Sequence, residues 1–125
     1  MMLQDEESKG DLYNNRYLYL ETFSMEVQMV VPHYLKGIHK VKIPLMLHTN
    51  DGKNKIGRKG YLGGTAWWLD ERGIANVISL KMLEEKLHVT YDSHKEGGAF
   101  VCKTPKGNLI FRRCFITKFP YLDLS

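Results

Sequence analysis

The chain has 125 residues, of which 43% are hydrophobic and 26% charged, and its net charge at neutral pH is +4. This length fits one domain with a single hydrophobic core, and the composition excludes collagen-like, coiled-coil and wholly disordered chains. The mild positive charge permits weak contact with nucleic acid or acidic membrane without establishing either. Cys102 and Cys114 are the only cysteines, too few for a disulfide framework or a four-ligand zinc site. We therefore expect free thiols.

The beginning of the chain differs in composition from the rest. Residues 1–15 are polar, start with an acidic stretch and contain an Asn-Asn pair, so they predict a flexible arm before a folded region at 16–125. They lack the apolar stretch of a signal peptide. No other apolar stretch is long enough to span a bilayer. We expect a cytoplasmic protein that makes no membrane contact.

The first half of the chain consists of short apolar segments separated by proline and glycine. Tyr17–Leu20 is aromatic-rich, which is typical of a strand, and it leads directly into Glu21. Nearly alternating apolar residues over Phe23–Val31 predict a second strand that ends before Pro32. Four more strands are predicted: Ile38–Ile43, Leu45–Thr49, Ile56–Leu62 and Thr65–Leu69.

Turn signals and one helical pattern complete the secondary-structure prediction. Pro44 should break the strand in which it lies, and Asp51-Gly52 indicates a hairpin. Ile74–Leu80 is predicted as a buried strand that continues into a short helix over Leu80–Lys86. A meander of three strands should follow, at Leu87–Tyr91, Ala99–Lys103 and Leu109–Phe111. Many short strands with one short helix predict a mainly β domain.

Three motifs, taken in order, resemble a known family. They are Gly60–Trp68, rich in glycine and tryptophan, then Gly73–Leu80, then Val89–Ser93. Together they resemble the protease segment of copia-type retrotransposon polyproteins, over roughly residues 17–125. Phe119–Leu124 resembles the segment that runs on toward the integrase. The resemblance implies a retropepsin-like (acid protease) closed β domain, followed by a pre-integrase-like tail.

The resemblance also implies an aspartic endopeptidase that works as a homodimer. Each chain supplies one carboxylate, and the two share a proton because like charges about 3 Å apart cannot both ionise. The family has Asp-Thr-Gly after a strand, whereas this chain has Glu21-Thr22-Phe23-Ser24. Glu21 lengthens the arm by one methylene, and a misplacement of about 1 Å can cost ~100-fold in rate. Phe23 puts a side chain where the loop needs glycine.

We therefore expect Glu21, Thr22 and Ser24 to form a degenerate catalytic loop that faces Asn76–Ser79 across the core. In the plainer interpretation, Glu21 is an exposed acid between two strands. Four glycines occupy the place of the family's substrate-binding flap, namely Gly57, Gly60, Gly63 and Gly64. They predict a mobile hairpin. The densest basic cluster lies in the same region and is more simply a solvated hairpin face: Lys53, Lys55, Arg58 and Lys59.

Three classes of function remain open at this point. The resemblance favours a retropepsin-like pseudoenzyme that needs no cofactor and binds a peptide or polyprotein segment as a homodimer. The first alternative is a weakly active aspartic endopeptidase that processes a Gag-Pol-type polyprotein. The second is a non-catalytic protein-interaction or nucleic-acid-associated module, although no recognition helix or RNA-binding motif is present. No metal site is predicted, since the nearest metal-like set follows ordinary strand patterns: His88, His94, Cys102 and Cys114.

Overall fold

The structure is a computed structural model, and it describes residues 13–22, 27–49 and 52–125. Within them the predicted mainly β character, with one short helix, is confirmed. The elements are β1 (Tyr17–Glu21), β2 (Gln28–Met29), β3 (Lys36–Thr49), β4 (Gly52–Leu62), β5 (Thr65–Leu69), β6 (Asn76–Ser79), α1 (Leu80–Lys86), β7 (His88–Asp92), β8 (Ala99–Thr104), β9 (Gly107–Arg113) and β10 (Pro120–Asp123).

The ten strands form a single mixed sheet, in the order β3-β4-β5-β2-β6-β1-β10-β9-β8-β7. The sheet is open in the described residues, because β3 and β7 each have a neighbour on one side only. At its centre, β6 runs parallel to β1 and antiparallel to β2. Next to this centre, β10 pairs antiparallel with both β1 and β9. The segment Phe119–Leu124, expected to run on as a tail, thus supplies an internal strand.

Both faces of the central strands are buried, and successive side chains alternate between them. On one face, Leu18 and Leu20 join the main core with residues such as Trp67 and Phe111. On the opposite face, Tyr19 belongs to a second cluster built around buried Ala75 and Val77 and completed by further aromatic side chains: Tyr13, Tyr17, Phe119 and Tyr121. We call this second cluster the tyrosine face. Full burial of one large apolar side chain stabilises the fold by about 1.5–3 kcal/mol.

The strand β3 is continuous through Pro44, where the sequence predicted a break. Lys40 lies opposite Arg58 and Leu45 opposite Ile56. Between these two pairs β3 advances by five residues, whereas β4 advances by two. The extra residues form a bulge on an edge strand, and there the missing N–H of proline costs no ladder hydrogen bond.

The helix α1 lies where it was predicted, and its start is explained by a cap. The Ser79 hydroxyl accepts a hydrogen bond from the Met82 backbone N–H at 3.3 Å. Such caps typically stabilise a helix by ~1 kcal/mol. No helix in the described ranges is long and apolar enough to cross a membrane.

Residues 23–26 of the predicted strand Phe23–Val31 lie outside the described part, and within 27–31 the strand covers Gln28–Met29. The carbonyl oxygens of Val27 and Met29 accept hydrogen bonds from the backbone N–H groups of Trp68 and Asp70, at 3.0 and 2.9 Å. The last residues of the expected arm pack onto the sheet, since the Asn14 N–H donates to the Tyr19 hydroxyl at 3.0 Å.

Candidate functional site

Glu21 is the last residue of β1 and is only 3% exposed. It is aligned with Ser79, the last residue of the parallel strand β6, just before α1 begins. By alternation along β1 its side chain shares the tyrosine face with Tyr19. Burial, followed by the negative charges of Cys114 and Glu21, raises the pKa of Tyr13 on this face. The carboxylate is therefore a buried group at a strand end, and not the exposed acid of the plainer interpretation.

The remainder of the predicted catalytic loop is only partly described. Thr22 is exposed, while Phe23 and Ser24 lie outside the described residues. Glu21 and Asn76–Ser79 do come together, as expected, but on neighbouring strands of one sheet and not across the core. The reason is that β1 and β6 pair directly, from Leu18 opposite Asn76 onward.

Asn76 connects this site to the chain around it. Its Oδ1 accepts from the Val30 backbone N–H at 2.8 Å, and its Nδ2 donates to the carbonyl oxygens of Asn15 and Tyr17 at 2.8 and 3.0 Å. The side chain is fully buried. In the sequence Asn76 is one residue of the Gly73–Leu80 motif, and the motif does not predict these hydrogen bonds. The available signal was a single amide inside an apolar strand, because a buried polar group must find partners.

The four glycines assigned to the flap occupy two different settings. Gly63 and Gly64, with φ of 60° and 76°, form the turn between β4 and β5, where positive φ favours glycine. Gly57 and Gly60 lie inside β4. A Cβ on Gly60 would be 2.8 Å from the Leu35 Cβ, whereas none of the described residues would crowd one on Gly57. Gly60 therefore permits close packing.

A hollow of about 350 Å³ opens beside the Gly63–Gly64 turn, between α1 and the strands β9 and β10. Its walls are almost entirely apolar: Leu18, Leu62, Trp67, Ile78, Leu83, Leu87, Leu109, Phe111, Leu122 and Leu124. Lys86, also in the wall, donates to the Thr65 hydroxyl at 2.7 Å. The volume is at the lower end of that of small-ligand sites. Such a hollow can accept one or two apolar side chains.

The two thiols have opposite environments. Burial in the main core raises the pKa of Cys102 to about 11. Burial would also raise the pKa of Cys114, but hydrogen bonds from Thr117 and from the Ile116 N–H, with the Lys118 charge, outweigh burial and lower it. Neither thiol belongs to a metal-like cluster, since no three His, Cys, Asp or Glu side chains of the described ranges come together.

Comparisons of the chain with protein-family models, curated proteins and solved structures returned no match.

Proposed function

We propose that this chain is a retropepsin-like domain of retrotransposon origin that no longer hydrolyses peptides. The observation that carries the proposal is the position of Glu21, buried at the end of β1 and aligned with Ser79 directly before α1. A catalytic carboxylate needs such a position, at the end of a rigid strand and fixed by the strand beside it. The order of motifs in the sequence supports the same assignment.

The loss of activity follows from the residues that occupy the loop. Water activation by an aspartic dyad needs two carboxylates close enough to share a proton. One chain offers Glu21 alone, so a second copy must supply the other. In both copies the arm would be one methylene too long, and Phe23 would replace the glycine that allows close backbone approach. A domain of this kind keeps its fold and can still bind a peptide, for which the apolar hollow beside Gly63 offers a place.

A peptidase assay on a mixed peptide pool, between about pH 4 and 6 and with pepstatin as inhibitor, tests the proposal. The protein should show no pepstatin-sensitive cleavage. The double substitution Glu21→Asp with Phe23→Gly restores the Asp-Thr-Gly loop and should produce cleavage. That activity should rise faster than linearly with protein concentration, because a dimer supplies both carboxylates. Glu21→Asp alone should stay inactive, since the loop would still carry Phe23 in place of the glycine.

Two results would contradict this proposal. Pepstatin-sensitive cleavage by the unaltered chain, lost in Glu21→Ala and retained in the exposed control Glu84→Ala, would show a working endopeptidase. A folded, dimeric double variant without activity would remove the retropepsin assignment.

A further inference from the structure

The β3–β4 hairpin, residues 36–62, carries a large excess of positive charge. It contains seven lysine and arginine residues and one acidic residue, Asp51, so its formal charge is +6 in a chain whose net charge is +4. The remaining residues together are therefore weakly acidic. We call residues 36–62 the basic hairpin. A charge separated in this way favours polyanionic partners at one place on the molecule.

The bulge of β3 gathers several of these cations around one cleft. The cleft has a volume of about 440 Å³, and its walls include Lys40, Lys42, Lys55 and Arg58. Arg58 is bridged to Glu71 at 3.3 Å, whereas the three lysines form no salt bridge within the described ranges. Lys40 lies directly opposite Arg58, a like-charge pair that destabilises a hairpin. An anion bound in the cleft would relieve this repulsion.

Aromatic rings lie on the same hairpin, close to its basic residues. His39 lies opposite Lys59, and Lys59 opposite Trp68, so all three share one face of the sheet. The Lys59 ammonium is 4.3 Å from the centre of the Trp68 ring. Tyr61, two residues along β4, stacks on His39 with ring centres 5.7 Å apart and an angle of 19°.

Tyr61 is nevertheless 46% exposed, and its ring packs against Gly37, where an added Cβ would be only 3.3 Å away. The ring is therefore held in a fixed orientation and still presents surface to the solvent. Lys40 and Arg58 lie on the other face of the hairpin, because neighbouring residues of a strand alternate between its faces. A ligand that contacts both the cleft and Tyr61 must therefore cross the edge strand β3. A flexible single strand can do so, with phosphates on the cations and a base stacked on the ring.

We propose that the basic hairpin binds single-stranded nucleic acid. Phosphate groups contact Lys40, Lys42 and Lys55 at the cleft, and a base stacks on Tyr61 where the strand has crossed the edge of the sheet at β3. The proposal does not depend on the retropepsin-like assignment, since no residue of the Glu21 site takes part. An anionic membrane is the main competitor, because Ile43, next to the cleft, is 83% exposed. The placement of Tyr61 favours nucleic acid, since a flat membrane would not contact the cleft and a ring on the opposite face together.

Fluorescence anisotropy with a labelled 15-nucleotide oligo(dT), at about 50 and 200 mM salt, measures the binding. The triple substitution Lys40→Gln, Lys42→Gln and Lys55→Gln should weaken binding at least tenfold at low salt. The dependence of log affinity on log salt should flatten by ~0.7 for each phosphate that a lysine no longer neutralises. A matched triple removes the same charge from exposed positions elsewhere, Lys81→Gln, Lys103→Gln and Lys106→Gln, and should change the affinity less than twofold.

The contribution of stacking is separable from that of charge. Tyr61→Leu should weaken binding about tenfold at both salt concentrations without altering the salt dependence, because it removes base stacking and no charge. Tyr91→Leu, at a tyrosine that is 56% exposed on β7, is the control and should bind normally. Circular dichroism confirms that each variant is folded.

Three results would overturn the inference. They are no binding of oligo(dT) to the unaltered protein at low salt, an equal loss in the two triple variants, and stronger displacement of the oligonucleotide by phosphatidylserine vesicles or poly-glutamate than by unlabelled oligo(dT).

Discussion

Asn76 joins three stretches of chain that are distant in sequence. One amide satisfies the N–H of Val30 and the carbonyl oxygens of Asn15 and Tyr17, all within 3.0 Å. These groups belong to the approach to β1, to β1 itself and to the chain after β2. Each buried backbone group that is left without a partner costs about 1–3 kcal/mol. The residue thus fixes the position of β6 between its two neighbours, and with it that of Glu21.

Replacing Asn76 should be among the most destabilising single changes. We expect Asn76→Ala to lower the free energy of unfolding by about 3 kcal/mol, because it leaves the buried Val30 N–H and two partly buried carbonyl groups without this partner. Asn76→Asp keeps the size of the side chain but turns an oxygen toward two carbonyl groups, so it should destabilise at least as much at neutral pH. Urea unfolding measures both, with the exposed Asn108→Ala as control. A loss below about 1 kcal/mol for both variants would contradict this role.

The strand β4 contains two glycines, Gly57 and Gly60, whose surroundings differ. Gly60 lies beneath Leu35 and Ile38, and an added Cβ would approach them to 2.8 and 3.2 Å. Gly57, three residues earlier on the same strand, lies in open space within the described structure. The strand β4 is continuous through both glycines. It is packed tightly at Gly60, whereas at Gly57 it has room for a larger side chain.

The two glycines make a matched experiment. Gly60→Ala should lower the free energy of unfolding by about 1–3 kcal/mol, because a crowded core must shift to accept a methyl group. Gly57→Ala should stay within about 0.5 kcal/mol of the unaltered protein, as surface substitutions usually do. Urea unfolding of both variants and of the unaltered protein measures the two changes. Equal effects of the two substitutions would show that Gly60 is not a packing position.

Local patterns in the sequence predicted the elements whose causes are local. The helix Leu80–Lys86 is predictable because both its apolar spacing and its Ser79 cap lie within one short stretch of sequence. The course of β3 through Pro44 was missed, since it depends on β3 being an edge strand, which only the whole sheet decides. For the same reason the approach of Glu21 to Asn76–Ser79 was predicted from the order of motifs, but their pairing on adjacent strands was not.

At the scale of the whole molecule, β10 connects two halves of the sheet. It lies between β1 and β9 and is the element through which the β7–β9 meander joins the other strands. Its pairing with β1 runs from Tyr17 opposite Asp123 to Tyr19 opposite Tyr121, and Leu122 packs against the main core. The meander therefore depends on these few residues for its place.

Truncation tests this dependence. Ending the chain after Phe119 should abolish cooperative unfolding, because β1 and β9 lose the strand that they share and the main core loses Leu122 and Leu124. Removal of Ser125 alone serves as the control and should leave the urea midpoint unchanged. Near-ultraviolet circular dichroism reports on the packing of Tyr17 against Tyr121, whose rings stack at 4.2 Å. A cooperative transition in the truncated chain would contradict this account.

The position of β1 in the sheet also has a consequence for the chain during its synthesis. Residues 17–21 leave the ribosome before both partner strands of β1, since β6 follows roughly 55 residues later and β10 roughly 100 residues later. At ~5–20 residues per second, β1 waits about 5–20 s for its second neighbour. During that interval Tyr-Leu-Tyr-Leu is an apolar segment with unpaired backbone groups, and such segments template aggregation. We therefore expect chaperones to bind the nascent chain until β10 has been synthesised.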